Sequence, residues 1–174
     1  RDAQESRGLG DVYKRQRIRR LLMYIRKVSH IGLTVTNLQR SIEFYRDILG
    51  LYYKGQMVME GASSDELFQK KNIYAKVGYL SYSKENSPAD IELIEFVGTP
   101  ITKRSPSLFE TSISELCFEV WDIEKFYEML KAKNVKTMSS PQEFDSTKYG
   151  MGKSKALYFY DPDGNILEAI TPID

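Results

Sequence analysis

The sequence predicts an α+β fold of two βαβββ modules related by a pseudo-twofold axis, their mixed sheets forming an open half-barrel cleft with helices outside. Three observations predict it. Ser29-His30-Ile31-Gly32-Leu33-Thr34-Val35-Thr36-Asn37-Leu38 aligns with Ser114-Glu115-Leu116-Cys117-Phe118-Glu119-Val120-Trp121-Asp122-Ile123, in both cases an alternating strand running into a helix start. Each copy ends on a second matched strand, Asp90-Ile91-Glu92-Leu93-Ile94 against Asn165-Ile166-Leu167-Glu168-Ala169-Ile170, which pairs Glu92 with Glu168. Residues 98–111, with Gly98, Pro100, Pro106 and several Ser and Thr, read as the linker between the copies.

Taken in order, Val28 to Val35 alternates, with Ile31, Leu33 and Val35 on one face and His30, Gly32 and Thr34 on the other. Thr36 or Asn37 caps a helix whose Leu38, Ile42, Tyr45 and Leu49 keep helical spacing, and Gly50 ends it. Strands follow at Tyr52 to Glu60, Tyr74 to Tyr82 and Ile91 to Val97, with a short helical turn at Ser63 to Phe68. Module one thus spans 28–97. Module two, 112–171, restarts with a strand from Ile113 to Val120 and a helix capped by Asp122. A weak strand follows near Gln142 to Phe144, then a flap at Tyr149 to Gly152, and a strand from Ala156 to Tyr160. Asp161-Pro162-Asp163-Gly164 turns the chain into the last strand, Asn165 to Ile170. Lys153, Ser154 and Lys155 read as a solvated loop, with an anionic ligand tail as the alternative; Trp121 reads as packing.

The chain has 174 residues, 41% of them hydrophobic, enough to fold as one domain of two repeats. Residues 1–22 stand apart, with seven basic and three acidic residues and no apolar period. They read as a non-native extension before Met23, because Leu9 to Gln16 resembles translated adapter sequence. Subtracting their net +4 from the whole-chain +1 leaves the remainder at −3, which gives no basic surface for nucleic acid. No apolar run approaches the ~18 residues of a membrane span. A single cysteine, Cys117, excludes an internal disulfide and reads as a buried, inert thiol, pointing to a reducing cytoplasmic setting.

Alternation places Leu93 and Leu167 on the helix side, and His30, Glu92, Glu115 and Glu168 on the open side with Cys117 and Glu119. Three carboxylates drawn together in a partly dry cavity repel unless a cation joins them. One imidazole with three carboxylates suits Mn²⁺, Fe²⁺, Co²⁺, Ni²⁺ or Mg²⁺ better than Zn²⁺. Each residue has a plainer alternative: a hydrogen-bonded strand histidine at His30, solvated strand carboxylates at Glu92 and Glu168, a salt bridge at Glu115. A register slip would substitute Glu95 or Glu119 as ligands. Tyr158 and Tyr160 are candidates to line the site.

These residues resemble the vicinal oxygen chelate superfamily of glyoxalase I, methylmalonyl-CoA epimerase, extradiol dioxygenases, and fosfomycin and bleomycin resistance proteins. The likeness covers about residues 28–171 and is most specific at His30 to Val35, Ser41 to Leu51, Ile91 to Leu93, and Asp161 to Gly164 followed by Glu168. It implies metal ligands at His30, Glu92, Glu115 and Glu168, and a catalytic base at Glu168, with Glu92 second. Glu115 departs from the usual His. With His30 the only histidine, the two-His, one-carboxylate iron site of an extradiol dioxygenase cannot come from one chain. The resemblance therefore implies a metal-dependent lyase or isomerase of glyoxalase type, working through an enediolate on a small metabolite. The alternative is a non-catalytic protein sequestering a ligand, as bleomycin-resistance proteins do. A homodimer is expected for either.

Overall fold

A computed structural model describes residues 27–85, 89–103 and 106–173; the extension read at 1–22 lies outside them. Module one runs β1 (Ile31–Thr34), α1 (Leu38–Glu43), β2 (Tyr52–Glu60), α2 (Ala62–Leu67), β3 (Tyr74–Ser81) and β4 (Ile91–Phe96). Module two runs β5 (Leu116–Glu119), α3 (Ile123–Ala132), β6 (Gln142–Asp145), β7 (Lys153–Tyr160) and β8 (Ile166–Ile173). The two sheets have the same order, β1-β4-β3-β2 and β5-β8-β7-β6. In each, the first strand lies parallel to the fourth while the others pair antiparallel, so both sheets are mixed and open.

Local chemistry accounts for the elements. Asn37 accepts from the Arg40 amide and Asp122 from the Lys125 amide, so matched residues cap α1 and α3. Glu95 adds a second acceptor at the start of α1, taking the Leu38 amide at 2.9 Å, a role that alternation alone did not reveal. After Glu43 the helix widens into a π-helical turn, Phe44–Ile48, and Gly50 leaves it at φ +78° as the C-terminal stop. Gly78 of β3 faces α1: a Cβ there would lie 3.1 Å from the terminal methyls of Leu38 and Ile42. The helix therefore rests on bare backbone at that point.

Leu93 and Leu167 face the helices and are fully buried, as alternation required. They belong to one cluster with Leu38, Ile42, Ile123 and Leu130, so the helix sides of both modules share a core. Lys153 to Lys155 lie in β7 rather than a loop, and Lys155 is held at 2.8 Å by Glu124. The strand begins three residues earlier than its apolar pattern because β6 pairs with it through Asp145 and Lys153. Trp121 is not packed at all; its side chain is 102% exposed.

The modules are tied at one corner. Asp163, in the β7–β8 turn, is buried and accepts from the Thr36 amide, the Thr36 hydroxyl, Ser41 and, at 2.7 Å, Arg40. Burial alone would push its carboxyl up, but these hydrogen bonds and the Arg40 charge outweigh that and hold it below the usual aspartate range. Asp161 beside it accepts from the Tyr45 hydroxyl, from Asn165 and from two turn amides. Burial, then Asp161, raises the Tyr45 phenol well above its ordinary value, keeping it a donor.

Candidate metal and acid-base site

Sheet register builds two matching rows on the open faces. In module one Gly32 pairs with Glu92, and Glu92 with Tyr79; in module two Cys117 pairs with Glu168, and Glu168 with Tyr158. His30 and Glu115 stand in equivalent places, each one residue before the first strand of its module rather than inside it. His30 Nε2 lies 3.4 Å from Glu92 Oε2, the imidazole 42% exposed and the carboxylate 14%. Gly32 adjoins this pair, where a Cβ would meet Glu92 Oε2 at 3.6 Å in ordinary contact.

Each carboxylate has a weak acid as its neighbour. Burial and a hydrogen bond to Glu92 raise the Tyr79 phenol, so it stays protonated and donates. Burial, then the charges of Glu168 and Glu115, raises Tyr158 in the same way. Cys117 is exposed on the open face rather than buried, yet its thiol is pushed up to about 12, first by desolvation and then by its hydrogen bond to Glu168. It is inert without being buried: partial desolvation, and then the carboxylate beside it, oppose a thiolate.

The far end of the first open face is closed. Val77 and Ala75 share the face of Tyr79 but are fully buried, and beside them Phe68, just after α2, meets Phe96 edge-on at 5.1 Å. Asp65 closes the turn from α2 into β3 by accepting the Asn72 and Ile73 amides. The His30, Glu92 and Tyr79 end of the sheet stays accessible. One edge strand of each sheet, β1 and β5, lines a common cleft of about 390 Å³ with Glu115 and Ile113 on its wall.

A model of the Glyoxalase/Bleomycin resistance protein/Dioxygenase superfamily matches residues 27–169. The chain belongs to this superfamily. Metallothiol transferase FosB of Staphylococcus epidermidis is 30% identical to it over 149 residues, covering 84% of each chain. YraH of Bacillus subtilis is 28% identical over 146 residues, covering 82% of this chain and 95% of that one. Among solved structures, a glyoxalase family protein from Bacillus cereus matches with a TM-score of 0.74 at 14% identity, over 88% of this chain and 98% of the other. The trypanothione-dependent glyoxalase I of Leishmania major matches at 0.58 and 20% identity, over 84% and 87%. At such identities these structures share the fold.

The chain divides its candidate donor set between its two sheets. The donor chemistry of His30, Glu92, Glu115 and Glu168 fits a divalent ion, since carboxylates on a partly desolvated face favour a cation between them. The described residues nevertheless hold no group of three or more His, Cys, Asp or Glu side chains close enough to share one ion. His30 meets Glu92 on one sheet, while Glu115 and Glu168 act together on Cys117 and Tyr158 on the other. Glu95, the slip alternative, is occupied at the α1 cap, and Tyr160 lies under Lys136, 4.9 Å from its ring centroid. No helix among the described residues is long and apolar enough to cross a membrane.

Proposed function

We propose that the protein is a metal-dependent lyase or isomerase of the glyoxalase type, acting on a small cytoplasmic metabolite, with its site completed between two copies of the chain. The observation that carries this reading is the duplicated row of carboxylate and protonated tyrosine, Glu92 with Tyr79 and Glu168 with Tyr158. The free edges of β1 and β5 support the dimer, because an unpaired edge flanked by apolar side chains is a template for another chain. Val28 and Ile113, each close before one of these strands, are 79% and 80% exposed.

His30 and Glu92 of one copy, with Glu115 and Glu168 of the second, would hold the ion, which supplies Lewis acidity toward a substrate carbonyl or hydroxyl. Mn²⁺, Ni²⁺, Co²⁺, Fe²⁺ and Mg²⁺ suit these oxygen-rich donors better than Zn²⁺. Glu168 serves as the base that takes a proton from carbon and returns it to the neighbouring carbon, with Glu92 as the second candidate. Tyr158, held neutral, offers its hydroxyl to a substrate oxygen as charge develops there.

Complementation tests the reading. His30→Ala and Glu168→Gln should each be inactive in a hemithioacetal isomerisation assay, yet unfolding and refolding them together should restore roughly a quarter of wild-type activity. Half the dimers are then mixed, and each carries one intact site. No recovery would refute a site shared between copies, and full activity of Glu168→Gln would remove it as the base. Metal titration decides the class, since failure to bind any of these ions at micromolar concentration returns the protein to the ligand-sequestering alternative. A second enzymatic reading, transfer of a thiol to a small electrophile, is favoured by the 30% identity to FosB. It predicts thiol consumption that depends on the electrophile and the metal, with no hemithioacetal turnover.

A further inference from the structure

On the helix side, away from the carboxylate rows, a cavity of about 580 Å³ lies between the π-helical turn, the end of α3 and the β7–β8 turn. Its wall has two kinds of surface. Phe44, Ile48 and Val135 are apolar, whereas Lys103, Lys133 and Lys136 bring three ammonium groups from two separate segments. None of the three has a carboxylate within ion-pairing distance among the described residues, although Lys125, Lys131, Lys153 and Lys155 all do.

Two structural uses for these lysines are already filled. The closing carbonyls of α3 are met by backbone amides, Met129 by Lys133, Leu130 by Val135 and Lys131 by Asn134, so no lysine is needed as a C-terminal cap. Asp47, whose carboxyl is lowered first by Arg46 and least by Lys133, is held at 2.6 Å by Arg46. The two aspartates of the wall do not cancel the cations either. Asp163 is neutralised by Arg40, which among the described residues of the wall leaves three lysines against Asp161 and a charge of +2. The Tyr160 ring fixes Lys136 against the wall.

We propose that this cavity binds a small molecule carrying several negative charges on an apolar ring system, of the nucleoside di- or triphosphate class. The lysines meet the phosphate oxygens through charge-assisted hydrogen bonds, and the apolar wall takes the ring. The site is independent of the carboxylate rows and of any metal held there.

Calorimetric titration of the full chain with ATP, in EDTA so that no divalent ion bridges phosphate to carboxylate, tests the assignment. ATP should bind, and adenosine and tripolyphosphate should each bind about tenfold more weakly or worse, since each satisfies one half of the wall. Lys133→Gln and Lys136→Gln should each weaken ATP about tenfold, and the triple variant with Lys103→Gln should abolish binding while its thermal midpoint stays unchanged. Absence of ATP binding at millimolar concentration, or binding that survives the triple substitution, overturns the site. Tripolyphosphate binding as tightly as ATP overturns the ring assignment.

Discussion

Replacing Asp163 with Ala removes the corner that ties the modules, and the structure sets the size of the effect. The carboxylate accepts from the Thr36 amide at 3.2 Å, the Thr36 hydroxyl, Arg40 at 2.7 Å and Ser41 at 3.4 Å. A hydrogen bond to a charged partner contributes about 1.5–3 kcal/mol, and an orphaned buried donor costs about 1–3. The Arg40 contribution is discounted because its side chain is 45% exposed and returns to water when released. Ser41 is fully buried, so its hydroxyl loses a partner that water cannot replace. The loss comes to about 3 kcal/mol for Asp163→Ala, or roughly 6–12 °C in Tm for a chain of this size. Asp163→Asn keeps the shape and one acceptor, and should lose about half as much.

Urea unfolding followed by circular dichroism measures both variants. Trp121 fluorescence would be a poor probe, because the side chain is already exposed in the folded state. The acid limb gives a second check with a fixed sign. Because the folded carboxyl lies below its unfolded value, the stabilisation is present above that value, near pH 4, and is lost as pH falls through the folded one. The gap between wild type and Asp163→Asn should therefore shrink below about pH 4. Two variants within ~0.5 kcal/mol of wild type at neutral pH would refute the argument that this turn couples the modules.

Three other outcomes follow from the geometry. Gly78→Ala should destabilise the fold by about 1–3 kcal/mol in the same urea assay, because the new methyl enters contacts of 3.1 Å with Leu38 and Ile42. Alkylation of Cys117 at pH 8 should run about a thousandfold slower than for a free thiol despite its exposure, since its thiol is held at about 12, and Glu168→Gln should speed it. Glu168→Gln should abolish turnover with an unchanged circular dichroism spectrum, whereas loss of the spectrum would show that the residue is structural.

The strand pattern was legible because alternation and a cap sit next to each other twice in the chain. Thr36 or Asn37, and Asp122, announced the two helix starts, where Asn37 and Asp122 are the caps, and β2 has the bounds read for it, Tyr52–Glu60. Glu92 and Glu168 were legible as open-face residues for the same reason: each adjoins a leucine, Leu93 after Glu92 and Leu167 before Glu168, that must be buried. Their tyrosine neighbours were only half visible. Tyr158 stood out as a candidate, but Tyr79 did not, because a partner across the sheet depends on register, and register depends on loop lengths that periodicity does not encode. The place of α2, with Phe68 against Phe96, was hidden too. Its sequence reads as a capped turn, and which face a turn folds onto is decided by packing, here the edge-on contact of Phe68 with Phe96.

The division of the donor set has the same physical root as the fold's stability. Joining the helix sides of both modules in one core, and fixing them through Asp161 and Asp163, sets the module arrangement from the buried side. The carboxylate rows contribute little to that arrangement, since burying unpaired charge costs more than it returns. One chain can therefore satisfy its core while keeping His30 with Glu92 on one sheet and Glu115 with Glu168 on the other. Converging the four positions would draw three carboxylates together, so it becomes favourable only where a cation arrives with the second pair. On this view the split is the low-energy state of a single chain, and the departure at Glu115 sharpens it: a neutral His would lower the repulsion that the third carboxylate raises. Glu115→His should therefore bind a divalent ion with less dependence on dimer concentration than wild type, read by metal titration across a dilution series; identical dependence in both proteins would sink the argument.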